Sequence, residues 1–195
     1  MRPQVDIHAV PERALPAAAR TRVPLLLIIG PPGVGKSSVA REVSVQLEDA
    51  RITFAYVDRD DFGVNGLLLE DPLVLLNELL HERVAAGAQR LVVAWRVESG
   101  IELARVHAAL GWATITVCRL RAEPGELIAR IDAGRGSFQG LHLQTMALDI
   151  APRLDSQAKE DILLATDAMP PRAVAMRAFR QWALHGAPMT RDVAG

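Results

Sequence analysis

The chain has 195 residues, with 22 basic and 23 acidic side chains and a formal net charge of −1 at pH 7. Half of the residues are hydrophobic, which excludes an intrinsically disordered chain, and the balanced charge argues against nucleic acid or an anionic membrane as a partner. The length predicts one full-sized core rather than two.

The first 22 residues contain three prolines and scattered charges but no apolar stretch, so we predict an N-terminal arm (residues 1–22) without a secretory signal. The apolar run "VPLLLII" is too short to span a bilayer. These features predict a cytoplasmic protein without a membrane anchor. The single cysteine, Cys118, lies in the apolar run "ATITVCRL", which is typical of a buried strand.

Apolar runs and helix-capping residues then alternate along residues 23–184. Strands are predicted at 23–29, 52–57, 90–95, 113–120 and 161–166. Helices are predicted at 36–50, from Asp71-Pro72 to about Gly87, and at 102–110, 124–132 and 172–184, with a broken helical lid at about 134–154 and a frayed tail at 185–195. Five buried strands alternating with helices predict a three-layer α/β domain with a mostly parallel sheet.

The first strand runs directly into the pattern G-x-x-x-x-G-K-S and then into an amphipathic helix. Glycines let the backbone amides converge on one anion, and the helix adds its positive end. Lys36 is expected to bridge the β- and γ-phosphates, and Ser37 to supply a hydroxyl to Mg²⁺. The context predicts a P-loop NTPase fold that binds a nucleoside triphosphate through Gly30, Pro31, Pro32, Gly33, Val34, Gly35, Lys36, Ser37 and Ser38.

Several classes of P-loop protein lack support in the rest of the sequence. A GTPase needs a base-reading N/T-K-x-D element, and the chain has only two lysines, Lys36 and Lys159. The LSGGQ-like segment of transporter ATPases is missing too. The third strand ends in Trp95-Arg96, where a mechanical ATPase usually has an acidic residue. These absences favour a small phosphotransferase.

Carboxylates follow the second strand instead, in the segment "YVDRDDF". Asp58 and Asp60 are two residues apart and so lie on one side of an extended segment, whereas Asp61 points the other way. Ligands of open parallel sheets bind at the carboxyl ends of the strands. A carboxylate there can hold a metal-bound water or accept the proton of an attacking hydroxyl. The alternative interpretation is a solvated acidic turn.

With these motifs, residues 23–184 resemble the small P-loop kinases, such as shikimate kinase, gluconate kinase and the chloramphenicol phosphotransferase-like group. The matching segments are "GPPGVGKSS", "DRD", "CRLRAEPGELIARIDAGRG" and "ILLATDAMPPRAVAMRAFRQW". The overall likeness is strongest to actinobacterial proteins known only as ATP-binding.

The resemblance implies ATP and Mg²⁺ as ligands and assigns a role to several residues. It makes Asp58 the metal-side carboxylate and Asp60 the substrate-hydroxyl partner and candidate base. It makes Arg130 a neighbour of the adenine, and Arg135 the lid arginine that meets the transferring phosphoryl group. It also places Thr166 and Asp167, in the segment 166–169, along the adenine edge.

The acceptor region departs from the shikimate kinase pattern, because "WRVESG" replaces a glycine-rich segment. Arg96 could pair with an anionic substrate group, and Trp95 could offer a ring face, although a tryptophan there is more often core. Arg119, Arg121, Arg130 and Arg135 could equally form a solvated basic face.

We therefore predict an ATP- and Mg²⁺-dependent kinase that transfers a phosphoryl group to a hydroxyl of a small molecule. The main alternative is a nucleotide-binding regulatory or interaction protein without kinase activity. A 5′-hydroxyl polynucleotide kinase is a further alternative, against which the net charge argues.

Overall fold

Strands and helices alternate along the chain in the computed structural model, which describes residues 22–62, 71–134, 137–157 and 159–184. In chain order the elements are β1 (Pro24–Ile29), α1 (Lys36–Asp49), β2 (Phe54–Asp58), a 3₁₀ turn (Arg59–Phe62), α2 (Pro72–Ala85), β3 (Arg90–Ala94), α3 (Gly100–Ala109), β4 (Thr114–Arg121), α4 (Pro124–Gly134), α5 (Ser137–Gln157), β5 (Ile162–Ala165) and α6 (Pro171–Leu184). Residues 1–21 of the predicted arm and the whole predicted tail (residues 185–195) lie outside the described residues.

The five described strands form one parallel sheet in the order β2–β3–β1–β4–β5. β1 lies at the centre because its residues from Leu25 to Ile29 are apolar and buried on both faces. It pairs with β3 from Leu25↔Leu91 and with β4 from Pro24↔Thr114. All carboxyl ends therefore lie on one edge, and the glycine segment leaves the middle of that edge.

Helices cover both faces of the sheet, because successive β1 side chains point to opposite sides. One face packs against α1 and α6 through residues such as Val43, Leu47, Ala178 and Trp182. The other face packs against α2 and α3 through residues such as Leu76, Leu80, Leu103 and Val106. The predicted three-layer α/β P-loop fold is confirmed.

Hydrogen bonds at the ends of helices place the starts of β2 and α3 at other residues than the sequence predicts. β2 starts at Phe54 rather than at residue 52, because the amide of Ile52 donates to the Leu47 carbonyl (2.9 Å) and so closes the end of α1. α3 starts at Gly100 rather than at residue 102. Ser99 is its N-cap and accepts the amide of Glu102 at 3.3 Å.

The segment predicted as a broken helical lid is one helix, α5, of 21 residues. Its second half is anchored in both hydrophobic clusters, with Ala147 in the α1–α6 cluster and Ile150 and Leu154 in the α2–α3 cluster. This spacing of three and four residues keeps the helix continuous through Pro152. The lid role of residues 134–154 stays a prediction.

Cys118 is fully buried in the middle of β4, and burial raises the pKa of its thiol to about 12. The chain contains no other cysteine. Among the described helices, none has the length and apolar character needed to cross a membrane.

Gly30 is the position at which the turn out of β1 depends most on glycine. Its φ is +146°, and a Cβ atom there would lie 2.5 Å from the Leu120 carbonyl oxygen. We expect Gly30→Ala to lower the free energy of unfolding by about 3 kcal/mol, through backbone strain plus overpacking. The matched control is Gly87→Ala, where φ is +101° and no atom lies within 4 Å, so only the strain of about 1–2 kcal/mol remains. Urea denaturation measures both, and equal losses would contradict the packing argument.

Candidate functional site

The glycine segment forms a loop over the carboxyl end of β1. Gly30, Gly33 and Gly35 all have positive φ values, of 146°, 78° and 95°. A Cβ atom at Gly33 would lie 2.9 Å from the Leu127 carbonyl oxygen, so α4 packs directly on the loop. Gly35 is the N-cap of α1 and provides no capping side chain. The first amides of α1 are therefore left to bind an anion at the mouth of the loop.

Lys36 curls back over this loop. Its ammonium donates to the carbonyl oxygens of Gly30 (3.0 Å) and Pro31 (3.1 Å). Burial lowers its pKa to about 8, and Arg96 acts in the same direction, whereas Asp60 and Asp58 act against it. An ammonium has three hydrogens, so a phosphate oxygen can be its third acceptor and would also restore its charge.

Asp58 and Ser37 are brought together, as the sequence predicts. The carboxylate accepts the Tyr56 hydroxyl (2.7 Å) and the Asp60 amide (3.1 Å), and it hydrogen-bonds the Ser37 side chain. Burial favours its neutral form, but these bonds and the charge of Arg41 outweigh burial and hold the pKa of Asp58 below its usual range. Asp58 is thus an ionised carboxylate beside the hydroxyl of the phosphate loop.

This pair matches the donors that magnesium prefers, which are carboxylate and hydroxyl oxygens. Within the described part of the chain, no cluster of three or more His, Cys, Asp or Glu side chains could hold a metal by itself. Mg²⁺ commonly keeps several waters and binds through one or two protein groups plus nucleotide phosphates, so Ser37 and Asp58 fit that mode.

Asp60 lies on the same edge of the sheet, in the 3₁₀ turn that follows β2. It is exposed, and its charge acts on both Lys36 and Arg59. Asp61, which the sequence predicts to point away, has another use: its carboxylate accepts the amide of Asp58 at 3.1 Å and so fixes the turn. The solvated-turn interpretation therefore does not fit Asp58, which is buried and bonded to the loop, whereas Asp60 and Asp61 are exposed.

Trp95 occupies the core rather than offering a ring face to a substrate. Only 4% of its surface is exposed. The Phe62 ring meets it edge-on at 5.8 Å, and the Arg59 guanidinium lies 5.5 Å from its ring centroid. Arg96, by contrast, is exposed at the end of β3 and lies 3.7 Å from Glu98.

The residues predicted to border the adenine lie together on the β4–β5 side of the loop, away from Asp58. The Arg130 guanidinium donates to the Thr166 hydroxyl (2.9 Å) and carbonyl (2.8 Å), and to Glu126 at 2.8 Å. Asp167 accepts the amide of Glu123 at 2.8 Å. Arg130 thus ties α4 to the segment after β5. This structural contact is additional to its predicted role as a neighbour of the adenine.

The predicted alternative of a solvated basic face fits only part of the arginine set. Arg121 is exposed, but the Arg119 side chain is 6% exposed and is paired with Asp155 (2.6 Å) and Glu160 (3.0 Å). Arg119 therefore anchors the second half of α5 to β4. Arg135, the predicted lid arginine, lies outside the described residues.

A cavity of about 310 Å³ lies beside the loop on the β4 side. It is lined by Pro31, by residues 119–124 at the end of β4, by Leu127, by the α5 residues Leu148, Ala151, Pro152 and Asp155, and by Asp167. It extends from the glycine loop to the segment predicted to border the base. Asp58 and Asp60 lie on the opposite side of β1, at the end of β2.

Tyr56 and Arg59 are functional candidates that the sequence interpretation missed. Tyr56 lies inside an apolar strand, where a tyrosine normally indicates packing. Only the alternation of the strand, which puts Tyr56 and Asp58 on one side, could have indicated their hydrogen bond. The sequence interpretation assigns no role to Arg59, the middle residue of "DRD".

The fold and the loop together define a P-loop nucleotide-binding protein. The sequence matches the AAA ATPase domain family over residues 6–164, and the chain therefore belongs to that family. No curated protein sequence matches the chain significantly.

Solved structures share the fold at low sequence identity. A gluconokinase from Sinorhizobium meliloti superimposes with a TM-score of 0.61 at 17% identity, over 85% of this chain and 95% of that chain. An APS kinase from Mycobacterium tuberculosis gives a TM-score of 0.57 at 18% identity, over 82% and 97%. A shikimate kinase from Acinetobacter baumannii gives 0.57 at 14%, over 84% and 95%.

The lowered pKa of Lys36 makes nucleotide affinity depend on pH. Phosphates bind the ammonium form, which the free protein loses above a pH of about 8. We expect the affinity for a non-hydrolysable ATP analogue to fall about tenfold per pH unit above that value, and binding at pH 8 to take up about half a proton. Calorimetry in buffers of different ionisation enthalpy measures both quantities. Lys36→Met should bind weakly with a flat profile, and exposed Lys159→Met should retain the slope. A flat wild-type profile would contradict the assignment.

Tyr56→Phe removes the hydroxyl that holds Asp58 at 2.7 Å. We expect the Mg²⁺ concentration for half-maximal nucleotide binding to rise about fivefold, the equivalent of one hydrogen bond of ~1 kcal/mol. The matched control is Thr53→Val, which removes a hydroxyl bonded to Gly87 at the other end of β2. Fluorescence anisotropy of a labelled nucleotide during Mg²⁺ titration measures the shift. If both variants respond alike, Tyr56 does not position Asp58.

Proposed function

We propose that this chain is an ATP- and Mg²⁺-dependent phosphotransferase that moves a γ-phosphoryl group to a hydroxyl of a small molecule. The observation that carries the proposal is that ionised Asp58 hydrogen-bonds Ser37 while the charge of its neighbour Asp60 acts on the half-buried Lys36 ammonium. The groups that we propose to bind the phosphates and to accept the proton thus lie along one edge of the sheet. The structural neighbours named as kinases support the same reaction class.

Each group has a defined task in this reaction. The acceptor oxygen forms a bond to the γ-phosphorus, the bond from that phosphorus to the β,γ-bridging oxygen breaks, and the hydroxyl proton passes to Asp60. Lys36 and the loop amides hold the phosphate oxygens, where negative charge lies in the transition state. Ser37 and Asp58 would hold Mg²⁺, which neutralises part of that charge when bound.

Further roles follow the sequence prediction. Arg135 would contact the transferring phosphoryl group, and the lid would exclude water from it. Arg130, Thr166 and Asp167 would border the adenine. The acceptor would lie between Asp60 and the segment after β3 that includes Arg96.

A second candidate is a nucleotide-binding regulatory protein, or an ATPase, that lacks an acceptor. Membership of the AAA ATPase domain family favours it. One feature argues against an ATPase. The strand beside β1 is β3, which continues into buried Trp95 and exposed Arg96 and so supplies no acidic residue at its end. This candidate predicts tight nucleotide binding, with or without hydrolysis, and no phosphorylated product.

Incubation of the full chain with Mg·ATP and a panel of sugars, sugar acids, polyols, nucleosides and hydroxylated aromatics tests the proposal. Mass spectrometry should detect a product that carries one added phosphoryl group. Asp60→Asn should lower the rate about 10²-fold or more while nucleotide affinity changes less than about threefold. Lys36→Ala should abolish transfer.

Asp61→Asn is the matched control, because an asparagine oxygen can still accept the amide of Asp58; we expect a loss of less than about fivefold. Nucleotide binding without transfer to any member of the panel would favour the second candidate. Equal losses in Asp60→Asn and Asp61→Asn would remove Asp60 as the base.

A further inference from the structure

Two arginines, Arg59 and Arg96, follow the carboxyl ends of the neighbouring strands β2 and β3. The register of these strands pairs Asp58 with Ala94, so that the next residues, Arg59 and Trp95, lie side by side. The Arg59 guanidinium carbon is 5.5 Å from the Trp95 ring centroid. Arg96 follows directly and is exposed at the same edge.

The Trp95 ring supports Arg59 rather than a substrate. The ring is buried in the α2–α3 cluster, and Phe62 closes its edge at 5.8 Å and 71°. A guanidinium over such a ring gains a cation–π contact and is held in place at little cost in entropy. Its in-plane N–H groups remain able to bind an anion through two parallel hydrogen bonds.

The charges around the pair leave room for an added anion. Arg96 faces Glu98 at 3.7 Å, with both side chains about 40% exposed, a geometry worth little in free energy. Arg59 and Arg96 carry like charges at the ends of two neighbouring strands, so an anion bound between them would reduce their mutual repulsion.

We propose that Arg59 and Arg96 form the acceptor subsite and bind an anionic group, a carboxylate or a phosphate, of the hydroxylated substrate. This inference rests on the proposed function. Asp60 directly follows Arg59 in the 3₁₀ turn at this edge, so an anion on the arginines brings a nearby hydroxyl of the same molecule towards Asp60. The substrate class is a small hydroxylated anion rather than a neutral sugar or polyol.

Direct binding tests the subsite without any turnover. The full chain is first saturated with Mg²⁺ and a non-hydrolysable ATP analogue, so that the phosphate loop is filled. Two matched series of probes are then titrated: glycerate, glycerol 3-phosphate and glycerol, and gluconate, glucose 6-phosphate and glucose. We expect a rise in melting temperature with at least one anion and none with its neutral counterpart. The carboxylate and phosphate members show which anion is preferred.

Substitution of the arginines shows whether they are responsible. Arg59→Gln and Arg96→Gln should each weaken anion binding about tenfold, and Arg59→Lys should recover part of it, because lysine keeps the charge but not the planar fork. The matched control is Arg177→Gln, an exposed arginine on α6. Equal stabilisation by neutral and anionic probes, no stabilisation by any of them, or a loss in Arg177→Gln as large as in the other variants, would overturn the subsite.

Kinetics separates failure of the subsite from failure of the proposed function. With an anionic acceptor, Arg59→Gln should raise the acceptor KM about tenfold and leave the nucleotide KM within about twofold. If the chain phosphorylates neutral acceptors and neither substitution changes the rate, the subsite proposal is wrong but the proposed kinase function is retained. If anions bind in an arginine-dependent way but no acceptor is phosphorylated, the proposed kinase function is wrong and only an anion-binding site is retained.

Discussion

The ammonium of Lys36 lies half-buried in a loop that gives it two carbonyl oxygens as hydrogen-bond acceptors. Removing a charge from water costs free energy, and the lowered pKa of this lysine reflects that cost. The surroundings reduce the cost only in part, through the carboxylates of Asp58 and Asp60 at the end of β2. A phosphate bound in the loop would add negative charge beside this ammonium and so reduce the remaining cost.

Sequence patterns predicted the fold well, because the fold depends on patterns that are local. Five apolar runs separated by helix caps were enough for the strand count and the parallel sheet. The glycine spacing in residues 30–37 placed the loop, since a strand followed by such a spacing and a helix has few other solutions. The rule that ligands bind at the carboxyl ends of parallel strands placed Asp58 and the phosphate loop at the same edge of the sheet.

Contacts between distant segments were not predictable in the same way. The ion pairs of buried Arg119 with Asp155 and Glu160 join residues 36 and 41 positions apart, and no local pattern distinguishes that arginine from exposed Arg121. Trp95 packs against Phe62 and Arg59 from the 3₁₀ turn that follows β2. Continuity of α5 depends on two clusters formed by other elements. In each case tertiary packing, rather than local preference, decides the outcome.

The burial of Cys118 has a practical consequence. The thiolate is the form that attacks an alkylating reagent, and a thiol that is both inaccessible and raised in pKa reacts only after β4 has left the sheet. Since β4 hydrogen-bonds both β1 and β5, that event amounts to opening the core. The chain therefore contains a natural chemical reporter of global unfolding, and the rate at which an alkylating reagent labels it records how strongly any bound molecule holds the domain closed.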